Sequence, residues 1–143
     1  MPLRNVYDPD NIFAKILSGE MPCVKIYEDD ETLAFMDIFP QSKGHLLVLP
    51  KAPSHNLLDA KPETLAKLMP TVQRLAQAVE TALKPDGIQI SQFNGSVAGQ
   101  TVFHLHVHII PRYEGEDLDR HAAMPADIET LRPLAERIAK AIS

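Results

Sequence analysis

The sequence predicts an α+β fold in which helices pack on one five-stranded antiparallel sheet. Short apolar segments follow one another in runs joined by brief polar turns, which is typical of antiparallel strands. One long segment with apolar residues at helical spacing interrupts these runs, and a second amphipathic segment closes the chain. At 143 residues, the chain has the size of a single domain.

The first part of the chain contains one predicted helix and three predicted strands. Residues 10–17 have apolar side chains on one helical face, with Asp10 as a suitable N-cap and with Ser18 and Gly19 at the end of the helix. The third strand is almost wholly apolar, so we expect it at the centre of the sheet, and Pro50 ends it. The strands are predicted at residues 23–27, 32–37 and 44–49.

The rest of the chain adds two helices and two strands. Residues 62–83 repeat apolar side chains at helical spacing, and Pro70 is expected to kink this helix or to separate its first turns. The last helix is expected within residues 127–142, where Pro133 marks its first turn or an early break. The two strands are predicted at residues 87–94 and 101–111.

Composition and charge narrow the class of protein. Hydrophobic residues make up 45% and charged residues 23%, which is ordinary for a soluble globular protein, and no window reaches the ~18 apolar residues that span a bilayer. The net charge of −5 argues against nucleic acid as the main partner, since a phosphate backbone favours a basic face. The N-terminus does not resemble a signal peptide, and the single Cys23 suits a reducing compartment. We therefore expect a cytoplasmic protein that binds neither nucleic acid nor membrane.

Three histidines alternate with aliphatic residues late in the chain. His104, His106 and His108 are separated by Leu105 and Val107. In a strand, this alternation places all three imidazoles on one face, with neighbouring Cα atoms about 6.5–7 Å apart, so that they can address one ligand. The chain has six histidines, and half of them lie in this short segment, which indicates a functional site.

Three interpretations of the cluster compete. It could be the solvent-facing side of a strand, although histidine has no marked preference for strands. It could bind a metal such as zinc with an open coordination position, which calls for carboxylate or carbonyl partners around the ligands. It could be a covalent catalyst, in which one imidazole attacks phosphorus while its neighbours hold the phosphate oxygens and fix its tautomer.

The segment at residues 94–101 favours the covalent catalyst. It immediately precedes the histidines and contains glycine, amide and hydroxyl residues. Backbone N–H groups left uncovered by glycine, together with such side chains, suit a bound phosphate. The same residue types also mark ordinary turns, so the position next to three histidines is what gives this segment weight.

The same residues resemble a known family. Residues 104–110 match the H-φ-H-φ-H-φ-φ signature (φ apolar) of the histidine triad, or HIT, superfamily. Three upstream segments resemble, in the expected order, the family's IF-x-KI helix, LAF-x-D-x-x-P segment and GH-x-LV-x-PK strand, and a fourth fits its phosphate loop. The segments are residues 11–16, 33–41 and 44–51, followed by Asn94 and by Gly99, Gln100 and Thr101. The chain therefore resembles bacterial HIT or Hint-like nucleotide-binding hydrolases, as a single domain over residues 1–143 with its triad core at about residues 11–112.

The resemblance implies a nucleotidyl hydrolase or transferase that cleaves at the α-phosphate of a purine nucleotide conjugate, either a phosphoramidate or a dinucleoside polyphosphate. It implies that His106 attacks phosphorus and forms a nucleotidyl-histidine intermediate, which water then hydrolyses. His108 would contact the phosphate, and His104 would orient His106, partly through its backbone carbonyl. His55 would support the site.

The resemblance also implies a nucleotide pocket. Asp37 would accept hydrogen bonds from ribose hydroxyls, although an aspartate at this place could simply start a turn. The phosphate or the leaving group would be held by Asn94, Gly99, Gln100 and Thr101. The base would contact five apolar side chains that periodicity alone would assign to the core, namely Ile12, Phe13, Ile16, Phe35 and Ile38.

The sequence departs from the family pattern at one informative place. Many bacterial members carry a C-x-x-C pair in the N-terminal helix, which joins histidines to hold a structural zinc, but Asn11 and Ala14 occupy those positions here. We therefore predict no structural zinc, no other metal and no cofactor. In such relatives the histidine at the position of His55 helps to bind that zinc, so His55 is available here for another role or for none. His45 is expected to be structural, and His121 is expected on the surface.

The resemblance further implies a homodimer, with the helix at 62–83 and a strand near 87–94 at the interface. Two other functions stay open as hypotheses. The chain could be a non-catalytic nucleotide sensor or interaction module that uses the same pocket, or it could be a metal-dependent hydrolase. The part of the chain after Tyr113 carries no pattern that matches the family.

Overall fold

The computed structural model describes residues 3–119 and 124–143, in which five strands form one antiparallel sheet in the order β1-β2-β3-β5-β4. This confirms the predicted α+β fold. None of the described helices is long and apolar enough to cross a membrane. His121 lies outside the described residues. The elements are α1 (Ile12–Ser18), β1 (Lys25–Glu28), β2 (Thr32–Met36), β3 (Leu46–Pro50), α2 (Pro62–Leu83), β4 (Gly87–Ser91), β5 (Val107–Arg112) and α3 (Ile128–Lys140).

The central position predicted for the third strand is confirmed. β3 lies between β2 and β5, and all of its residues are buried. A strand covered on both faces needs apolar side chains throughout, which explains the unbroken run of apolar residues. Pro50 is the last residue of this strand.

Helices α2 and α3 cover one face of the sheet. Their side chains, among them Leu75, Val79 and Ile138, form one core cluster with alternate strand residues such as Val48 and Ile109. These side chains are at most 1% exposed, so this face is closed to ligands. It provides the rigid support on which the opposite face is built.

Helix α1 packs on the opposite face. Phe13 forms a second, smaller cluster with Phe35 and Leu47. Leu47 pairs with His108 between β3 and β5, and directly paired residues of antiparallel strands project to the same face. The α1 face therefore carries the last histidine of the triad.

The start of α1 differs from the prediction. The N-cap is Asn11, whose Oδ1 accepts hydrogen bonds from the N–H groups of Phe13 and Ala14. The predicted N-cap, Asp10, is wrong because it lies one residue too early to reach these two groups. The predicted end is confirmed, since Gly19 is the C-cap with φ of 87°.

Neither internal proline breaks its helix. The bounds predicted for the long helix are confirmed, and Pro70 lies inside the continuous α2, so the predicted separation of its first turns is wrong. Leu68 and Val72 flank the proline and are buried against the sheet, and this packing stabilises the helix across the missing N–H group. Pro133 likewise lies inside the continuous α3, beyond its first turn, so the predicted place in the first turn and the predicted early break are both wrong.

Candidate active site

A pocket of about 230 Å³ lies beside α1, on the sheet face that carries His108. Four of the polar residues predicted from the sequence line it, namely Asp37, Thr101, His106 and His108. The five apolar side chains predicted to contact a base also line it, namely Ile12, Phe13, Ile16, Phe35 and Ile38. The structure thus brings the apolar set and two of the triad histidines to one cavity.

His106 is held by the backbone of His104. Nδ1 of His106 lies 2.6 Å from the carbonyl oxygen of His104. Because a carbonyl only accepts, Nδ1 carries a proton, and in the neutral ring the lone pair is on Nε2. Phe13 packs edge-on against this imidazole, with ring centroids 4.9 Å apart. The arrangement gives the pocket wall a histidine with a fixed orientation and, in its neutral form, a lone pair on Nε2.

His104 is fully buried and is anchored at both ring nitrogens. Nε2 lies 2.7 Å from the carbonyl oxygen of Pro50, and Nδ1 lies 2.6 Å from the hydroxyl oxygen of Tyr7. Burial lowers the pKa of His104, although the hydrogen bond to Pro50 raises it by a smaller amount. His104 is therefore neutral near pH 7 with its proton on Nε2. It does not line the pocket.

His108 is oriented by a second buried histidine, His45. The N–H group of Gln41 donates to Nδ1 of His45 over 3.0 Å, so the proton of His45 is on Nε2. This Nε2 lies 2.9 Å from Nδ1 of His108 and donates to it. In the neutral His108 ring, the remaining proton is therefore on Nε2. A backbone amide thus fixes the tautomers of two histidines in succession.

Asp37 lies at the same end of the pocket and is 5% exposed. Its Oδ1 accepts a hydrogen bond from the N–H group of Phe39 over 2.8 Å. This is the contact by which an aspartate starts a turn. Its Oδ2 lies 3.4 Å from Nε2 of His45. The carboxylate is therefore part of the surroundings of His45, and its contact with a ribose stays a prediction.

The histidine strand begins later than predicted. β5 starts at Val107, so the strand predicted over residues 101–111 is wrong in its first part, and the first two triad histidines precede it. The N–H group of Leu105 donates to the carbonyl of Ser54 over 2.9 Å. The neighbouring strand β3 ends at Pro50, which has no N–H group with which to extend the ladder. The ring centroids of His106 and His108 nevertheless lie 5.1 Å apart.

The loop before the triad is shaped by two glycines and one buried amide. Gly95 and Gly99 flank a short 3-10 turn, Ser96–Ala98, with φ of 94° and 107°, a conformation that favours glycine. Gln100 is 3% exposed. Its Oε1 accepts from the N–H group of Gly95, and its Nε2 donates to the carbonyl of His55. Gln100 therefore holds the loop in place, and its contact with a phosphate stays a prediction.

Asn94 and Thr101, at the two ends of this loop, differ in their contacts. Oδ1 of Asn94 accepts from the N–H group of Leu57 over 3.0 Å, and its side-chain amide pairs with that of Gln92. Thr101 is exposed and lines the pocket. Of these two residues, Thr101 has the more direct access to a ligand.

His55 lies outside the pocket. Its ring stacks on Phe103 with centroids 4.8 Å apart, and it is 2% exposed. Neither ring nitrogen has a hydrogen-bond partner among the described residues. The structure brings His55 near the loop through its backbone carbonyl, which accepts from Gln100, and its supporting role stays a prediction.

One group of described residues could hold a metal ion. Asp37, His45 and His108 each offer one ligand atom within 4.8 Å of the others, and all three are buried. Nε2 of His45 and Nδ1 of His108 share the hydrogen bond described above, and a cation bound through either of these nitrogens would compete with it. Metal-dependent chemistry is therefore a hypothesis for experiment.

Several residues of the site carry little or no signal in the sequence. Met21, Pro22 and Cys23 line the pocket, although nothing in their order distinguishes them from a connecting turn. Tyr7 contacts the triad from the N-terminal segment, and no motif signalled it. His45 is predicted to be structural, yet it lies within hydrogen-bonding distance of His108. Its place in the glycine–histidine motif beside the central strand was the signal that could have identified it.

Comparisons with known proteins agree with this geometry. A model of the HIT domain matches residues 18–115. The crystal structure of a Hit-like protein from Bartonella henselae, described as involved in cell-cycle regulation, has a TM-score of 0.89 and 49% identity, covering 95% of this chain and 99% of that chain.

Two curated relatives have named activities. Adenosine 5'-monophosphoramidase hnt1 of Schizosaccharomyces pombe is 42% identical over 101 residues, which cover 71% of this chain and 73% of that protein. Adenylylsulfatase HINT3 of Arabidopsis thaliana is 40% identical over 119 residues, which cover 79% of this chain but only 60% of the plant protein. With its fold, its histidine motif and these relatives in agreement, the chain belongs to the HIT domain family.

Proposed function

We propose that the protein hydrolyses purine nucleotide conjugates, or transfers their nucleotidyl group, through attack of His106 on the α-phosphorus. The 2.6 Å hydrogen bond from Nδ1 of His106 to the carbonyl of His104 carries this proposal. It keeps the lone pair on Nε2 of a histidine that lines the pocket, and a neutral imidazole with an oriented lone pair is a good nucleophile.

The reaction proceeds in two displacements. In the first, Nε2 of His106 forms a bond to phosphorus, and the bond from phosphorus to the leaving nitrogen or oxygen breaks. The leaving group departs and takes up a proton from solvent, and His106 is left as a cationic nucleotidyl-imidazolium that keeps its proton on Nδ1. In the second, water attacks phosphorus, the phosphorus–nitrogen bond breaks, and the nucleoside monophosphate leaves while the water proton is released. His106 returns to its neutral form.

His108 stabilises the charge on the phosphate. Its tautomer, fixed through His45 and Gln41, has a proton on Nε2, which donates to a phosphate oxygen. A donor positioned before the reaction acts on charge that develops in the transition state at no cost of reorientation. His45 is therefore a positioning residue for His108.

The rest of the pocket binds the nucleotide. The base lies among apolar side chains that include Ile12, Phe35 and Ile38, and Asp37 accepts from the sugar. The loop holds the phosphate or the leaving group, with Thr101 as the direct contact. The N–H group of Gly99 donates to the carbonyl of Ser96, and a side chain at φ of 107° would be strained, so Gly99 shapes the loop beside Thr101. Asn94 and Gln100 hold the same loop through their side-chain hydrogen bonds.

The names of two relatives support a conjugate of adenosine monophosphate. One relative is named an adenosine 5'-monophosphoramidase and the other an adenylylsulfatase, so these two relatives are named for adenylyl groups attached to different leaving groups. A site whose contacts are made to the nucleotidyl group and not to the leaving group would suit this range. We therefore expect phosphoramidates and dinucleoside polyphosphates among the substrates.

A substrate panel tests the proposal. Adenosine and guanosine phosphoramidates, adenylated lysine and diadenosine polyphosphates are assayed with the wild type and with His106→Asn. The variant should bind AMP and keep its melting temperature within a few degrees, yet lose at least about a thousandfold in kcat. Unchanged turnover in this variant would refute the mechanism.

The same panel separates catalysis from sensing. A wild-type protein that binds AMP with no turnover of any conjugate, and whose binding survives the loss of His106, would identify a nucleotide sensor or interaction module instead. Isothermal titration with AMP measures the binding in both proteins.

A further inference from the structure

The N-terminal arm, defined as residues 3–11, lies against the candidate site. The hydroxyl oxygen of Tyr7 is 2.6 Å from Nδ1 of His104, and their rings pack edge to face with centroids 5.6 Å apart. The carbonyl of Leu3 accepts from the side-chain amide of Asn56 over 2.8 Å. A Cβ atom at Gly95 would approach Cδ2 of Leu3 to 2.7 Å. The arm therefore contacts both the triad and the loop before it.

The hydroxyl of Tyr7 can only be the donor in its contact with His104. Nε2 of His104 lies 2.7 Å from the carbonyl of Pro50, which accepts, so the single proton of the neutral ring is on Nε2. Nδ1 then carries the lone pair and accepts from Tyr7. The fully buried ring thus has both nitrogens satisfied, one by the arm and one by β3.

This anchoring matters because the backbone at His104 is not held by the sheet. β5 begins three residues later, at Val107. Near His104, the described backbone contact is the hydrogen bond from the N–H group of Leu105 to Ser54. The side chain of His104 supplies the other anchor. Its carbonyl oxygen is the acceptor that orients His106.

The arm itself is fixed to the start of α1. Asn11 caps the helix through Oδ1, and its Nδ2 donates to the carbonyl of Asp8 over 2.7 Å. One side chain thus joins the helix that lines the pocket to the segment that carries Tyr7. These hydrogen bonds hold the residues that follow Tyr7 to the start of α1.

We propose that Tyr7 is a positioning residue of the nucleophile, because its hydroxyl holds the His104 ring and thereby the carbonyl that orients His106. This inference rests on the proposed function. Loss of the hydroxyl lets the His104 backbone move, which lengthens the hydrogen bond to His106 and misaligns Nε2. Binding of the nucleotide is affected little, since Tyr7 does not line the pocket.

Tyr7→Phe is compared with Tyr113→Phe, which removes a hydroxyl that donates to the carbonyl of Lys43 over 2.8 Å. Tyr7→Phe should lower kcat about threefold to tenfold, with KM within about twofold, while Tyr113→Phe keeps the wild-type kcat. A wild-type kcat in Tyr7→Phe, or an equal loss in both variants, would overturn the inference.

A second measurement does not depend on turnover. Long-range proton–nitrogen NMR spectra of the histidine rings, recorded without substrate, should show shifted ring nitrogens of both His104 and His106 in Tyr7→Phe. A shift confined to His104 would overturn the positioning role. If the wild type hydrolyses no conjugate, the proposed function fails while this spectrum still decides the role of Tyr7.

Discussion

Replacing His45 with phenylalanine tests whether the hydrogen bonds that run from the Gln41 N–H group through His45 to His108 serve catalysis. We call these two hydrogen bonds the tautomer relay. Phenylalanine has a similar volume but removes the acceptor for the N–H group of Gln41 and the donor to His108. Leaving one buried group unsatisfied costs about 1–3 kcal/mol. The contact of the Gln41 N–H group is only partly buried and lies at the lower end of this range, so the free energy of unfolding should fall by about 2–4 kcal/mol in total. Natural domains have about 5–15 kcal/mol of stability, so we expect the variant to fold.

The same change should lower turnover because His108 loses its fixed tautomer. Removing one preorganised donor to a developing charge costs about a hundredfold to a thousandfold in kcat. Here the donor is lost only in those molecules whose proton moves to Nδ1 of His108, so we expect a fall of about tenfold to a hundredfold in kcat for His45→Phe.

Steady-state hydrolysis with urea unfolding as the stability assay measures both effects. Leu75→Ala in α2 is the matched control, since it removes a buried side chain of the opposite face at a similar cost of about 2–5 kcal/mol and should keep the wild-type kcat. A wild-type kcat in His45→Phe, with its stability loss present, would show that the relay does not serve catalysis.

Three further predictions follow from the same structure. Prolonged treatment with a chelator should leave kcat unchanged, and a loss restored by zinc or manganese would favour a metal at Asp37, His45 and His108. Because burial lowers the pKa of His104 below its ordinary 6.5, the unfolded chain binds the proton first as the pH falls. The contribution of neutral His104 to the free energy of unfolding should therefore be fully present above about pH 6.5 and should decline below it. In His104→Phe, urea unfolding should show a weaker dependence of this free energy on pH. Light scattering at micromolar concentration should give a homodimer, in which α2 and the edge strand β4 bury Met69 and Ile90, 49% and 46% exposed in the single chain; a monomer would contradict this.

The parts of the fold that the sequence predicted well are those with strong local periodicity. The bounds of α2 follow from apolar residues at helical spacing over 22 residues, a signal long enough to outweigh Pro70. The central β3 follows from an apolar run that only a strand covered on both faces requires. The N-cap was misplaced by one residue because Asp10 and Asn11 have almost the same capping preference.

The parts that could not be predicted depend on contacts between distant residues. The alternation of His104 and His106 is that of a strand, yet the backbone there bonds to Ser54, which no local pattern records. The pairing of His45 with His108 and of Tyr7 with His104 joins residues 63 and 97 positions apart. The family resemblance supplied the roles of the triad, whereas the residues that fix its tautomers required the three-dimensional arrangement.

The stereochemical course at phosphorus tests the covalent mechanism most directly. Each in-line displacement inverts the configuration at phosphorus, so two successive displacements through His106 restore it. Hydrolysis of an adenosine conjugate with a chiral α-phosphorothioate in oxygen-18 water should therefore give the product with net retention of configuration. Net inversion would mean that water attacks phosphorus directly, and it would contradict a nucleotidyl-histidine intermediate.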